Sequence, residues 1–189
     1  MSKNYIPGLF MQSESFRKAV NTQDQTSKLI WFVMTLSVLI YGVVLEATPP
    51  MKELFVGDVK KGLEMIFPPI ALSTAALSIF LKRILLSESK LKQASQRISS
   101  VENKFESELE NKLYRTLRYN AGIHLLVLAL NEMVAIYGFI LSLGGSGLIG
   151  YLPYALGAIA LNVINFPKLS NLLEVFNTQL EHKYNSPNL

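Results

Sequence analysis

Residues 126–143 read LVLALNEMVAIYGFILSL, an apolar run of helical length with a single acidic residue, Glu132, near its middle. Such a stretch belongs either to the buried core of a soluble domain or to a membrane span, and the placement of charge along the rest of the chain separates the two. Half of the 189 residues are hydrophobic and 17% are charged, yet no Asp, Glu, Lys or Arg occurs in 29–45, 65–81, 119–131 or 133–167. Each block approaches or exceeds the ~17–25 residues that carry a helix across ~30 Å of hydrocarbon. The expected fold is therefore all-α, an integral membrane four-helix bundle with spans near 29–46, 65–86, 120–143 and 149–166.

The loops divide by charge. Residues 1–28, the stretch between Lys82 and Arg118, and the tail from Lys168 together hold fifteen Lys and Arg, whereas the two loops on the other side hold three, Lys52, Lys60 and Lys61. Basic residues collect on the cytoplasmic side of membrane proteins, so both termini are expected there, in a plasma or inner membrane. The same topology accounts for the net charge of +4 without nucleic acid as a partner. The first 28 residues lack a basic start running directly into an apolar stretch and a small-residue cleavage site, so no signal peptide is read there. Cysteine is absent, which removes disulfides and thiolate metal sites.

The two halves resemble each other. IYG at 40–42 returns at 136–138, and PIALSTAAL at 69–77 returns as PYALGAIAL at 153–161, five of nine positions being identical. The first motif recurs after 96 residues (40 to 136) and the second after 84 (69 to 153), so the outer loop is longer in the first half. This describes two parallel-repeat helical hairpins. The domain plan is then a cytoplasmic N-terminal segment at 1–28, a first transmembrane hairpin at 29–86, a cytoplasmic helical hairpin at 87–119, a second transmembrane hairpin at 120–167, and an amphipathic tail at 168–189. Pro68 and Pro69 are expected to start the second span. The segment 87–119 carries an apolar stripe through Leu91, Ile98, Phe105, Leu109, Leu113 and Leu117, with a turn expected near Ser99 and Ser100. It is a solvated hairpin or a docking place for a soluble partner.

A charge at mid-membrane costs about 2.5–3.5 kcal/mol on insertion scales and faces a bundle interior or a water path. Desolvation favours the neutral acid, so Glu132 reads as a group that takes up and returns a proton or cation. No basic residue lies three or four positions from it, and the hydrogen-bonding groups on the other spans are neutral: Thr35, Ser37, Ser73, Thr74, Ser78 and Asn162. The candidate ion-binding set is Glu132 with support from Asn131, Tyr137, Ser78 and Asn162. Small residues at three- and four-residue spacing, Ala71, Thr74, Ala75 and Ser78 on the second span and Ala155, Ala158, Asn162 and Asn165 on the fourth, give faces for close helix packing.

Glu132, Ala135, Ile136, Tyr137 and Gly138, in NEMVAIYGFIL, resemble the carboxylate helix of the ring-forming proteolipid, subunit c, of rotary ATP synthases and vacuolar-type ATPases. That resemblance implies ion translocation on a mid-membrane carboxylate within an oligomer, and four-span members of the family retain a single carboxylate, as here Leu36 stands where the second half has Glu132. The chain departs from the family in having an Ala- and Ser-rich second span, no Arg-Gln-Pro loop, and its carboxylate on the third span. The alternative expectation is a structural or assembly subunit of a membrane complex in which Glu132 is a hydrogen-bonding staple. Neither reading is enzymatic: His124 and His182 have no metal-ligand companions at helical spacing, no cofactor is called for, and GGSGLIG at 144–150 is a turn between spans.

Overall fold

The computed structural model describes residues 13–48, 58–87, 89–91, 93 and 105–168. Four helices account for nearly all of them: α1 (Glu14–Ala47), α2 (Asp58–Leu85), α3 (Glu108–Leu141) and α4 (Gly147–Ile164), with a short π-helical segment, Ser142–Ser146, between the last two; no strand occurs among the described residues. Three helical stretches are long and apolar enough to cross a membrane, Glu14–Ala47, Val59–Leu85 and Glu108–Ile164. The third doubles back on itself, because Gly145 and Gly147 take positive φ values of 116° and 58° that only glycine adopts without strain. The reversal falls at 142–146, so of the expected turn at 144–150 only 144–146 belong to it, and 147–150 form the first turn of α4.

α3 is the centre of the assembly. It packs against α1, α2 and α4, and α1 packs also against α4, whereas α1 and α2 scarcely touch. The first hairpin is thus a hairpin in connectivity and not in packing. The cause is the small-residue face of α2, whose Ala71 and Ser78 are buried and turn to the second half of the chain. α1 and α3 run parallel, since Ser13 meets Glu110 and Ser37 meets Glu132, pairs 97 and 95 residues apart. α2 and α4 are matched by Lys82 and Asn165, 83 apart. The spatial register of like-directed helices thus follows the separations of the recurring motifs.

The apolar core lies where these helices meet, around Val38, Val134, Ala135, Tyr151 and Ala158, with the Tyr151 hydroxyl donating to the Val38 carbonyl at 2.6 Å. Beyond it the outer faces of α1 and α2 are apolar and uncovered: Leu29, Phe32 and Val43, and Met65 and Leu72, are each more than half exposed. Pro68 and Pro69 lie inside α2, ten residues past its start, and do not begin it. The helix tolerates them because the residues one turn before, Glu64 and Met65, are exposed, so their freed carbonyls are open to the surroundings.

α1 and α3 also extend well beyond the apolar blocks at the same end. Residues 14–28 continue α1, and 108–119 continue α3, so the return arm of the expected 87–119 hairpin is the foot of α3. The turn near Ser99 and Ser100 and the tail past Lys168 lie outside the described residues. The two feet pack through Phe16, Phe105 and Leu113, with Phe16 and Tyr114 set edge-on to Phe105. Glu110 joins them: its two oxygens accept from the Ser13 amide at 2.6 Å and the Ser13 hydroxyl at 2.9 Å, while the same hydroxyl caps the Phe16 amide at 3.3 Å. A buried carboxylate at the start of α1 meets unpaired amides and the positive helix end. Glu110→Ala should lower unfolding free energy by about 2 kcal/mol, the loss of hydrogen bonds to a charged group, measured by denaturant titration in detergent with near-ultraviolet dichroism of the foot aromatics as the probe.

Candidate functional site

Adjacent residues on a helix point about 100° apart, and on α3 that separates Asn131 and Glu132 into two different environments. Glu132 turns to α1. Its Oε1 accepts from the Ser37 hydroxyl and the Tyr41 hydroxyl, both at 2.7 Å. The Ser37 oxygen is at the same time 2.7 Å from the Met34 carbonyl. A hydroxyl has one proton, so it satisfies only one of these acceptors at a time. When Glu132 is ionised, Ser37 and Tyr41 both donate to the carboxylate. When it is protonated, the acid O–H donates to Ser37 and Ser37 turns its own proton to Met34. One set of heavy-atom positions thereby serves both protonation states by rotation of a single hydroxyl.

Asn131 turns the other way and is fully buried. Ser78 on α2 donates to its Oδ1 at 2.7 Å, and its Nδ2 donates to Oδ1 of Asn162 on α4 at 3.0 Å. Trp31 of α1 adds a bond from its indole N–H to the Asn162 carbonyl at 2.7 Å and sets its ring edge-on against Phe166. Of the sequence-derived set, Asn131, Ser78 and Asn162 are therefore brought together, but with one another and not with Glu132. Tyr137 packs its ring against Phe67 of α2 at 5.5 Å. Tyr41, its counterpart 96 residues earlier in the first IYG, holds Glu132 in its place. The signal for Tyr41 lay in that separation: helices run in parallel at an offset of 96 put residue 36 level with residue 132, and Ser37 and Tyr41 within reach.

The seam between α1 and α3 that contains Glu132 opens at both ends. At the turn end a cavity of about 150 Å³ is lined by Leu45, Thr48, Ser142 and Leu143 among others. At the end of the helix feet a second, of about 200 Å³, is lined by Gln23, Ser27, Ile30, Gly122, His124 and Leu125. Between the first cavity and Glu132 stands the aromatic pair Tyr41 and Phe139, with ring centres 5.2 Å apart. Leu128, fully buried, stands on α3 between Glu132 and the second. Among the described residues no three His, Asp or Glu side chains are grouped as a metal site. Comparison with protein-family models, with curated proteins and with solved structures finds no match to this chain.

Proposed function

We propose that the protein is a multi-pass membrane protein in which Glu132 is a reversible proton site, used within an oligomer or a larger membrane complex. The reading places α1, α2, α3 and α4 across the bilayer with both termini on the cytoplasmic side of a plasma or inner membrane, so that the feet of α1 and α3 project into the cytoplasm. The uncovered apolar faces of α1 and α2 then meet lipid, where they carry no hydration cost. The observation that carries the proton assignment is the placement of Ser37 between the Glu132 carboxyl and the Met34 carbonyl, at 2.7 Å from each. An acid whose surroundings fit both of its charge states, at a depth where charge is costly, is suited to load and unload a proton. The two cavities on the same seam supply approaches from either side, and the resemblance of residues 131–141 to the proteolipid carboxylate helix points the same way.

The test uses the full chain in detergent or liposomes. Dicyclohexylcarbodiimide attacks protonated carboxyls in apolar surroundings, so labelling mapped by mass spectrometry should fall on Glu132, be strong at acid pH and vanish at alkaline pH. A Glu132 that is never labelled, or is labelled equally at every pH, would overturn the proposal. A second reading, an assembly subunit that docks a soluble partner, draws on the packed feet around Phe16, Phe105 and Leu113. It predicts that function survives Glu132→Gln and is lost when the feet are unpacked by Leu113→Asp.

A further inference from the structure

On the side of α3 away from Glu132 a buried polar column descends from Asn131 toward the helix feet. Its upper part is closed by the bonds among Ser78, Asn131 and Asn162. Its lower part is not. Lys82, one turn past Ser78 on α2, places Nζ 2.8 Å from Oδ1 of Asn165, the residue that caps the C-terminus of α4. Asn165 is 1% exposed, so this ammonium reaches into the bundle, the reverse of the snorkelling usual for a lysine at the end of a span. A second cation, Lys168, lies three residues past Asn165 and is exposed. Neither Lys82 nor Lys168 forms an ion pair among the described residues.

The unpaired groups here are mostly donors. The Nδ2 amides of Asn162, in the last turn of α4, and of Asn165, its C-cap, are buried without a hydrogen-bond partner among the described residues. Each such donor costs about 1–3 kcal/mol, and inward-facing cations are ordinarily paired. An anion with several acceptor oxygens satisfies the amides and the ammonium groups together. α2 and α4 pack chiefly on α3 and little on each other, and basic clefts between spans on the cytoplasmic side suit phosphate headgroups.

We infer that the cytoplasmic ends of α2, α3 and α4 form a binding site for a phosphate-bearing anion, held by Lys82, Asn165 and Asn162 with Lys168 at the rim, and filled in the membrane by the headgroup of an anionic phospholipid. The inference is independent of any proton chemistry at Glu132. Native mass spectrometry of the full chain, released from bilayers of equal phosphatidylglycerol and phosphatidylcholine, should show one phosphatidylglycerol retained in preference. The preference should be on the order of ten-fold, the worth of one charge-assisted hydrogen bond. Lys82→Gln and Asn165→Leu should each bring the ratio near one, while Lys112→Gln, in the α3 foot, leaves it unchanged. If Lys82→Gln does not fold, the exposed Lys168→Gln serves in its place. Stabilisation of the detergent-solubilised chain by inorganic phosphate over chloride at matched ionic strength, without lipid preference, upholds the site and assigns it to the free anion. A wild-type chain showing neither preference nor stabilisation overturns the inference, as does a preference that survives all three substitutions.

Discussion

Glu132→Gln should abolish carbodiimide labelling and the pH-dependent infrared band of a protonated carboxyl, while the chain keeps its helices and unfolds within about 1 kcal/mol of wild type. The amide oxygen of glutamine still accepts from Ser37 and Tyr41, which sit 2.7 Å from Oε1 in the wild type. What is lost is only the second charge state. Glu132→Leu makes the complementary test. It leaves the Tyr41 hydroxyl without its acceptor, at about 1–3 kcal/mol, and, in the proposed bilayer placement, removes an ionisable group that costs about 2.5–3.5 kcal/mol at mid-membrane. Those opposing effects nearly cancel, so the leucine variant should be close to wild type in stability and inactive. Leucine is the residue the first half of the chain carries at the equivalent position, Leu36. A staple retained for stability alone would show the opposite pattern, with the leucine variant clearly less stable and otherwise competent. Thermal unfolding, infrared difference spectra and labelling on the three chains distinguish the outcomes.

How far the sequence could be read depended on what each residue reports. The charge-free blocks located to within a few residues the C-terminal ends of α1 and α3, closed by Thr48 and Ser142, and the start of α4 at Gly147. They missed the opposite ends of α1 and α3, because absence of charge marks hydrocarbon and not helix, and the polar residues 14–28 and 108–119 are as helical as the apolar turns they lead into. The same confusion put a helix start at Pro68, where composition turns apolar, although the helix begins at Asp58. The carboxylate was legible from one residue. Its partners were not, since a list of neutral groups on other spans carries no information on which helix face meets which. Only the recurrence of IYG encoded that information, and it needed the further step of setting the first and third helices side by side. The column of Ser78, Asn131 and Asn162 was visible as small and polar positions, but its separation from Glu132 comes from the 100° between neighbours on a helix.

The recurring IYG yields the second large effect, because its two glycines do different work. At Gly138 an added Cβ would fall on the Cβ and Cγ of Tyr154 of α4, closer than such atoms approach. Tyr154 Cβ is fixed to its backbone and cannot swing away, so α3 and α4 would have to separate. At Gly42 the same atom would meet Leu148 and Tyr151 side chains at 3.6 Å, an ordinary contact. Alanine is favoured over glycine in a helix by about 1 kcal/mol, so Gly42→Ala should be neutral or slightly stabilising. Gly138→Ala has that gain set against overpacking of about 1–3 kcal/mol or more, here at the upper end because backbone must move, and should destabilise the chain by about 2 kcal/mol. Gly138→Leu should prevent the second hairpin from closing at all. The loss extends to Glu132, since spreading α3 from α4 also breaks the bond between Asn131 and Asn162 and frees α3 to rotate away from Ser37 and Tyr41. The measurement is unfolding in detergent of the two alanine variants beside wild type, with carbodiimide labelling of Glu132 on each. Equal stability of Gly42→Ala and Gly138→Ala would mean that the close approach of α3 and α4 does not set the geometry of the carboxylate, and unchanged labelling in a destabilised Gly138→Ala would uncouple the hairpin from the site.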